Sequence, residues 1–221
     1  MQFLLHPISS LNLLVAMLIT GKISFWLSIA FFIFISLNYK KLSFQELDRK
    51  VNEWAKSAEN HFFKKHSEDL AIFGNAVFHI LFCIVCALIF FIFAHNKIAG
   101  IGIIFALIFS WAFNRLVKLI YKRERPRSIP SNIKRRLSYC FPSGHVMASI
   151  PIYFFSAIIL QGLVPFISWY LLAFFISFTV IMTRIYLNHH YFTDVLGGIA
   201  LGVFCLHISI WFYFLAGVLL Q

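Results

Sequence analysis

The stretch RIYLNHHYFTD, residues 184–194, sets His190 and Asp194 four apart. On a helix that spacing lets the carboxylate accept a hydrogen bond from the imidazole and fix its tautomer. A neutral imidazole held in this way, with one nitrogen free, is a good nucleophile or base. His189 is the rival, but Thr193, four residues after it, carries no charge. Arg184 stands near the end of one apolar run and Asp194 near the start of the next, where ionisable groups are costly enough to point to function. A second group is Pro142-Ser143-Gly144-His145, followed by another apolar run. It reads as a helix start, whose unpaired N–H groups and positive dipole end form an anion site. The Ser143 hydroxyl adds a donor, Gly144 lets a ligand approach the backbone, and His145 falls in the first turn. Read alone, the turn is equally a plain helix cap. In the third group, KLIYKRERP, Lys118 and Arg125 are seven apart and point the same way if the helix continues. Pro126 biases Arg125 away from helical geometry and marks the exit of the chain from the apolar segment. Read alone, cations at such a helix end only snorkel to lipid headgroups.

Composition says what kind of element must hold these residues. Of 221 residues, 61% are hydrophobic and the mean hydropathy is +0.84, whereas an ordinary globular domain is nearer half apolar. The expectation is an all-α integral membrane protein. Only 12% of residues are charged, yet the balance is +11, so positive charge is concentrated in a few places. Spanning a bilayer core takes about 20 apolar residues as helix. Six segments qualify: Ile23 to Asn38, Leu70 to His95, Ile98 to Tyr121, His145 to Leu160, Pro165 to Leu187 and Phe192 to Leu219. A seventh apolar stretch, Phe3 to Thr20, is interrupted by His6, Pro7 and two serines. Residues 1–21 are read as an interfacial segment, with an extra span or a hairpin with the next segment as the alternatives. No basic residue precedes Lys22, so the positive start of a cleavable signal peptide is missing and the stretch is expected to remain.

The polar insert 40–69 lies between the first and second spans. Its Leu47, Val51, Trp54, Ala58 and Phe62 recur at helical steps, which predicts an amphipathic helix on the membrane surface, anchored by Trp54 and Phe62. A substrate-entry or specificity role is the alternative. Internal repeats and linkers are absent, so residues 1–221 form a single membrane domain. With six spans, the insert, the loop 122–144 and the link 188–191 share the side opposite the termini. The three groups therefore share one face. Cys83, Cys86 and Cys205 lie in apolar runs and are read as packing residues, and Cys140 as a small loop residue with a reactive thiol as the alternative.

Taken in order, the three groups resemble the signature of the type 2 phosphatidic acid phosphatase family: Lys-x6-Arg-Pro, Pro-Ser-Gly-His, and Ser-Arg-x5-His-x3-Asp. Every internal spacing is met, and the one departure is Thr183 where the family usually has Ser. The resemblance covers roughly residues 110–205. It implies that His190 attacks phosphorus to form a phosphohistidine, that Asp194 orients it, and that His145 is the general acid. It further implies that Lys118, Arg125, Arg184, Ser143 and the Gly144 amide bind the phosphate oxygens. No metal or other cofactor is expected, since the cations and a helix N-terminus fill that role.

A site at a membrane exit suits a phospholipid or isoprenoid phosphate whose tails stay in the bilayer. Undecaprenyl diphosphate is the favoured substrate. Lipid A and phosphatidylglycerophosphate or phosphatidate are the alternatives, because Arg127, Lys134, Arg135 and Arg136 fit either a second phosphate or any anionic lipid. Nucleic acid is not expected as a partner. Most Lys and Arg lie on the face of the three groups, which by the positive-inside rule makes that face cytoplasmic. Several of them belong to the signature whichever way the chain faces, and the resemblance implies the periplasmic side of a bacterial inner membrane. The reading from another class is a non-catalytic protein that binds or moves lipid phosphates; it predicts a missing histidine, and both are present.

Overall fold

The computed structural model describes residues 7–58, 60–125, 139–165 and 168–219, with backbone alone at 7–20 and 61–62. The described elements are α1 (Pro7–Asn38), α2 (Leu42–Ser57), α3 (His61–Leu70), a 3-10 turn (Ala71–Gly74), α4 (Ala76–Ile92), α5 (Lys97–Tyr121), α6 (Gly144–Leu163), α7 (Trp169–Tyr186) and α8 (Phe192–Leu219). No strand occurs among the described residues. The segment Gly21–Asn38 and helices α5, α6, α7 and α8 are each long and apolar enough to cross a membrane. The pair Phe63–Gly74 and Ala76–Ile92, bent by 48° at the break, meets the same measure when taken together, which makes up to six crossings if the pair is one span. The protein is thus an all-α, multi-pass membrane protein, as its composition requires.

Two expectations are corrected here. Over residues 7–20 the N-terminal stretch is continuous helix with the first span, α1 running unbroken from Pro7, which leaves no turn for a hairpin there; residues 1–6 lie outside the described residues. Proline suits the first helical position, where its missing N–H is not needed, so it starts this helix instead of interrupting it. The insert is two helices, not one, and α2 buries only part of the apolar stripe: Val51 packs on the Val146, Ile150 and Val180 cluster. Asp48 and Ala55 are buried, whereas Trp54 and Leu47 are exposed; the buried face is turned toward α7 and α8. The side chain of Phe62 lies outside the described residues, as do Pro126, Arg127 and Lys134 to Arg136.

Helix α6 is the hub, packing on α4, α5, α7 and α8. Its approach to α8 is close because α8 carries Gly198 and Gly202, four apart as in the small-residue seams of membrane helices. A Cβ at Gly198 would stand 2.8 Å from the Ser143 carbonyl oxygen, and one at Gly202 would stand 3.2 Å from that of Met147. On the other side, Phe155 of α6 lies over Gly102 of α5, where an added Cβ would come within 2.6 Å of its ring. The break before α4 has a similar cause. Gly74 sits against Val180 of α7, and Asn75, in extended backbone, caps α4 by accepting the Val77 N–H at 3.2 Å. The outward faces of α1, α4, α5 and α7 are covered by exposed Leu, Ile, Val and Phe, which a lipid surround accommodates.

Candidate active site

The three sequence groups meet at one end of the bundle. Phe141 anchors the Pro142-Ser143-Gly144-His145 turn: its ring stacks on Tyr39 at 5.0 Å and Phe32 at 5.8 Å, with the Tyr121 edge at 5.0 Å. The Ser143 N–H donates to the Asp194 carbonyl at 2.9 Å, which ties the start of α6 to the start of α8. Gly144 lies close against α5, since a Cβ there would stand 2.8 Å from Asn114 Oδ1 and the amide would have to shift. Ser143 is fully buried, and its hydroxyl has no protein partner.

His190 and Asp194 are both buried, with Nδ1 of the ring 3.5 Å from Asp194 Oδ2. The ring of His145 lies across from that of His190, centroids 6.4 Å apart. The Nε2 of His190 is buried and unpaired by protein. Burial pushes the His190 pKa down to about 4, against the opposing pull of Asp194, so the ring is neutral at pH 7. Asn188, with a left-handed φ of 51°, ends α7 and redirects the chain into this segment.

Lys118, His145 and Gly144 line a cavity of about 250 Å³ together with His79, Asn114 and Arg115. Arg184 and His145 line a second, of about 450 Å³, with His189, Glu68 and Asn75. His145 thus borders both. Arg184 is buried and donates to the Ala71 carbonyl at 2.9 Å, and Arg125 donates to the His189 carbonyl at 3.2 Å. All eight residues read from sequence therefore gather at this end. The Thr183 hydroxyl, the departure from the signature, donates to the Val180 carbonyl of its own helix at 2.8 Å.

Sequence reasoning missed a buried ionic cluster next to Asp194. Arg123 donates to Asp194 Oδ1 at 2.7 Å, to Thr193 Oγ1 at 2.6 Å and to Asp48 Oδ2 at 2.8 Å. Burial works against the Arg123 charge, but Asp194 and Asp48 more than offset it and hold its pKa up. Arg123 lies inside the KLIYKRERP run, and only its place between the signature cations could have marked it. Asp48 carried no mark, since an acid among charged insert residues reads as solvated. Cys140 is fully buried, with its thiol on the Glu124 carbonyl at 2.9 Å, and burial raises its pKa, as suits a packing residue.

Residues 99–217 match the family model described as the PAP2 superfamily. The chain belongs to that superfamily. Within the PAP2 superfamily it is similar to phosphatidylglycerophosphatase B of Bacillus subtilis (strain 168), 35% identical over 109 residues that make up 46% of this chain and 53% of that protein. The match thus spans about half the length of this curated relative. Its fold resembles the crystal structure of the first transmembrane PAP2 type phosphatidylglycerolphosphate phosphatase from Bacillus subtilis. The TM-score is 0.79 at 23% identity, covering 86% of this chain and 95% of that one.

Proposed function

We propose that this chain is a membrane lipid phosphatase that cleaves the terminal phosphate monoester of phosphatidylglycerophosphate through a phosphohistidine on His190. The observation that carries the reading is the buried, neutral His190, with a carboxylate at Nδ1 and the His145 ring 6.4 Å away. In the first step Nε2 attacks phosphorus, a P–N bond forms, the P–O bond to the lipid breaks, and His145 protonates the departing alkoxide. In the second, His145 takes a proton from water, whose oxygen attacks phosphorus and breaks the P–N bond, releasing inorganic phosphate. Asp194 holds the Nδ1 proton and balances the charge that grows on the ring. Lys118, Arg125, Arg184, the Ser143 hydroxyl and the Gly144 N–H bind the non-bridging oxygens, supplying the charge a divalent ion provides in other phosphoryl transfers.

The names of the two relatives favour phosphatidylglycerophosphate, and they replace undecaprenyl diphosphate as the first choice. The basic residues read as fitting either a second phosphate or any anionic lipid, Arg127 and Lys134 to Arg136, lie outside the described residues. The site faces the periplasm of a bacterial inner membrane in this reading. A single Cys at exposed Glu53, in a background without the native cysteines, should then react with an impermeant maleimide from outside; reaction only after lysis would reverse the orientation.

The decisive experiment is phosphate release by purified protein in EDTA, on phosphatidylglycerophosphate, phosphatidate, undecaprenyl diphosphate and lipid A. Wild type should turn over phosphatidylglycerophosphate fastest, His190→Ala and His145→Ala should be inactive, and Ser143→Ala should lose about tenfold to a hundredfold. Full activity in His190→Ala would sink the nucleophile assignment, and loss of wild-type activity in EDTA the metal-free chemistry. Binding of all four lipids without release would favour a non-catalytic lipid-phosphate binder.

A further inference from the structure

We infer that Arg123, braced by Asp48 of the insert helix, is a positioning residue that sets how Asp194 presents its carboxylate to His190. The inference rests on the proposed role of His190. Asp194 divides its oxygens: Oδ1 accepts from Arg123 at 2.7 Å, while Oδ2 accepts the Tyr191 N–H at 3.0 Å and faces His190 Nδ1 at 3.5 Å. Arg123 is in turn held by several partners, although it also borders a cavity of about 590 Å³. It donates to Thr193 Oγ1 and Asp48 Oδ2, and its guanidinium lies 4.2 Å from the Tyr191 ring centre and 4.8 Å from that of Tyr39. Asp48 completes the frame across 145 residues of sequence, accepting the Thr193 N–H and hydroxyl, both at 2.8 Å. That N–H is one of the first-turn donors of α8 left without a partner inside the helix.

The charge count gives this frame a second effect. Two carboxylates share one guanidinium, so the cluster keeps one net negative charge. If Asp48 were neutral, Arg123 would cancel Asp194 outright, and the His190 ring would gain positive charge during attack with no net counter-charge beside it. The insert helix therefore reaches the His190 ring through two hydrogen-bonded ion pairs, Asp48 to Arg123 and Arg123 to Asp194, and a 3.5 Å approach of Asp194 to His190 Nδ1. Side-chain exposures of 3% for Asp48, 12% for Arg123 and 0% for Asp194 mean that solvent screens this chain little.

A clamp that merely docks α2 would use the same bonds, so the test needs readouts that docking alone leaves unmoved. Asp48→Asn is isosteric, and Arg123→Lys keeps a cation between the acids without the fork that reaches both. With the full chain in detergent and phosphatidylglycerophosphate or phosphatidate as substrate, each should lower kcat at least about tenfold while KM stays within about threefold. The double variant should be no slower than the slower single. A substrate-free readout is the ¹⁵N spectrum of the His190 imidazole, which should show the Nδ1–H tautomer in wild type and a mixture in both variants. A kcat within twofold of wild type, losses that multiply, or an unchanged tautomer would each overturn the inference. If His190→Ala is inactive while these variants are not, this inference alone fails; if His190→Ala is active, the reading of the site fails with it.

Discussion

Burial keeps the His190 ring a nucleophile over a wider pH range than a solvated imidazole would cover. Its pKa, pushed down to about 4, lies below the ordinary 6.5. Protonation removes the attacking lone pair, so the acid loss of kcat/KM should be centred near 4, after the ionisation of the substrate phosphate is subtracted. A midpoint near 6.5 would mean a solvated ring. The chemistry at this scale was legible where residue type and spacing carry it: Lys118, Arg125, Ser143, Gly144, His145, Arg184, His190 and Asp194 all gather at one end. Asp48, Arg123 and Thr193 were not legible, because a charge that is buried through a contact 145 residues away looks no different in sequence from a solvated one.

Helices and their junctions set the precision of that site. Gly198→Ala should force the Ser143 backbone away from α8, since carbonyl oxygen cannot swing aside as a side-chain tip can. A cost of about 1–3 kcal/mol in stability and a loss of kcat larger than that of Gly162→Ala are expected. Gly162 has open space around it, which makes it the control, and melting curves with turnover would compare the two. Hydropathy located the spans because lipid imposes about 20 apolar residues on each. It could not locate the break at Asn75 or the buried face of α2, because both follow from where neighbouring helices pack. Leu47 and Trp54 of the apolar stripe are left exposed, and the docked side is the one bearing Asp48, Val51 and Ala55.

Across the whole molecule, the site and the far half of the core are separable. Phe155 is buried about 16 Å along α6 from Gly144, at a helical rise of 1.5 Å per residue. Phe155→Ala should cost on the order of 3–5 kcal/mol by opening a cavity against Gly102, yet leave kcat below the melting transition within about twofold. A kcat loss as large as that of Gly198→Ala would show that the two ends are coupled. Fold class was open to a reading of composition; the spaces beside His145 were not, since they depend on which side chains border them. His145 borders both the space holding Lys118 and the space holding Arg184. In the proposed chemistry the general acid is thus a wall between two rooms, so one imidazole can pass its proton toward either without the rooms having to join.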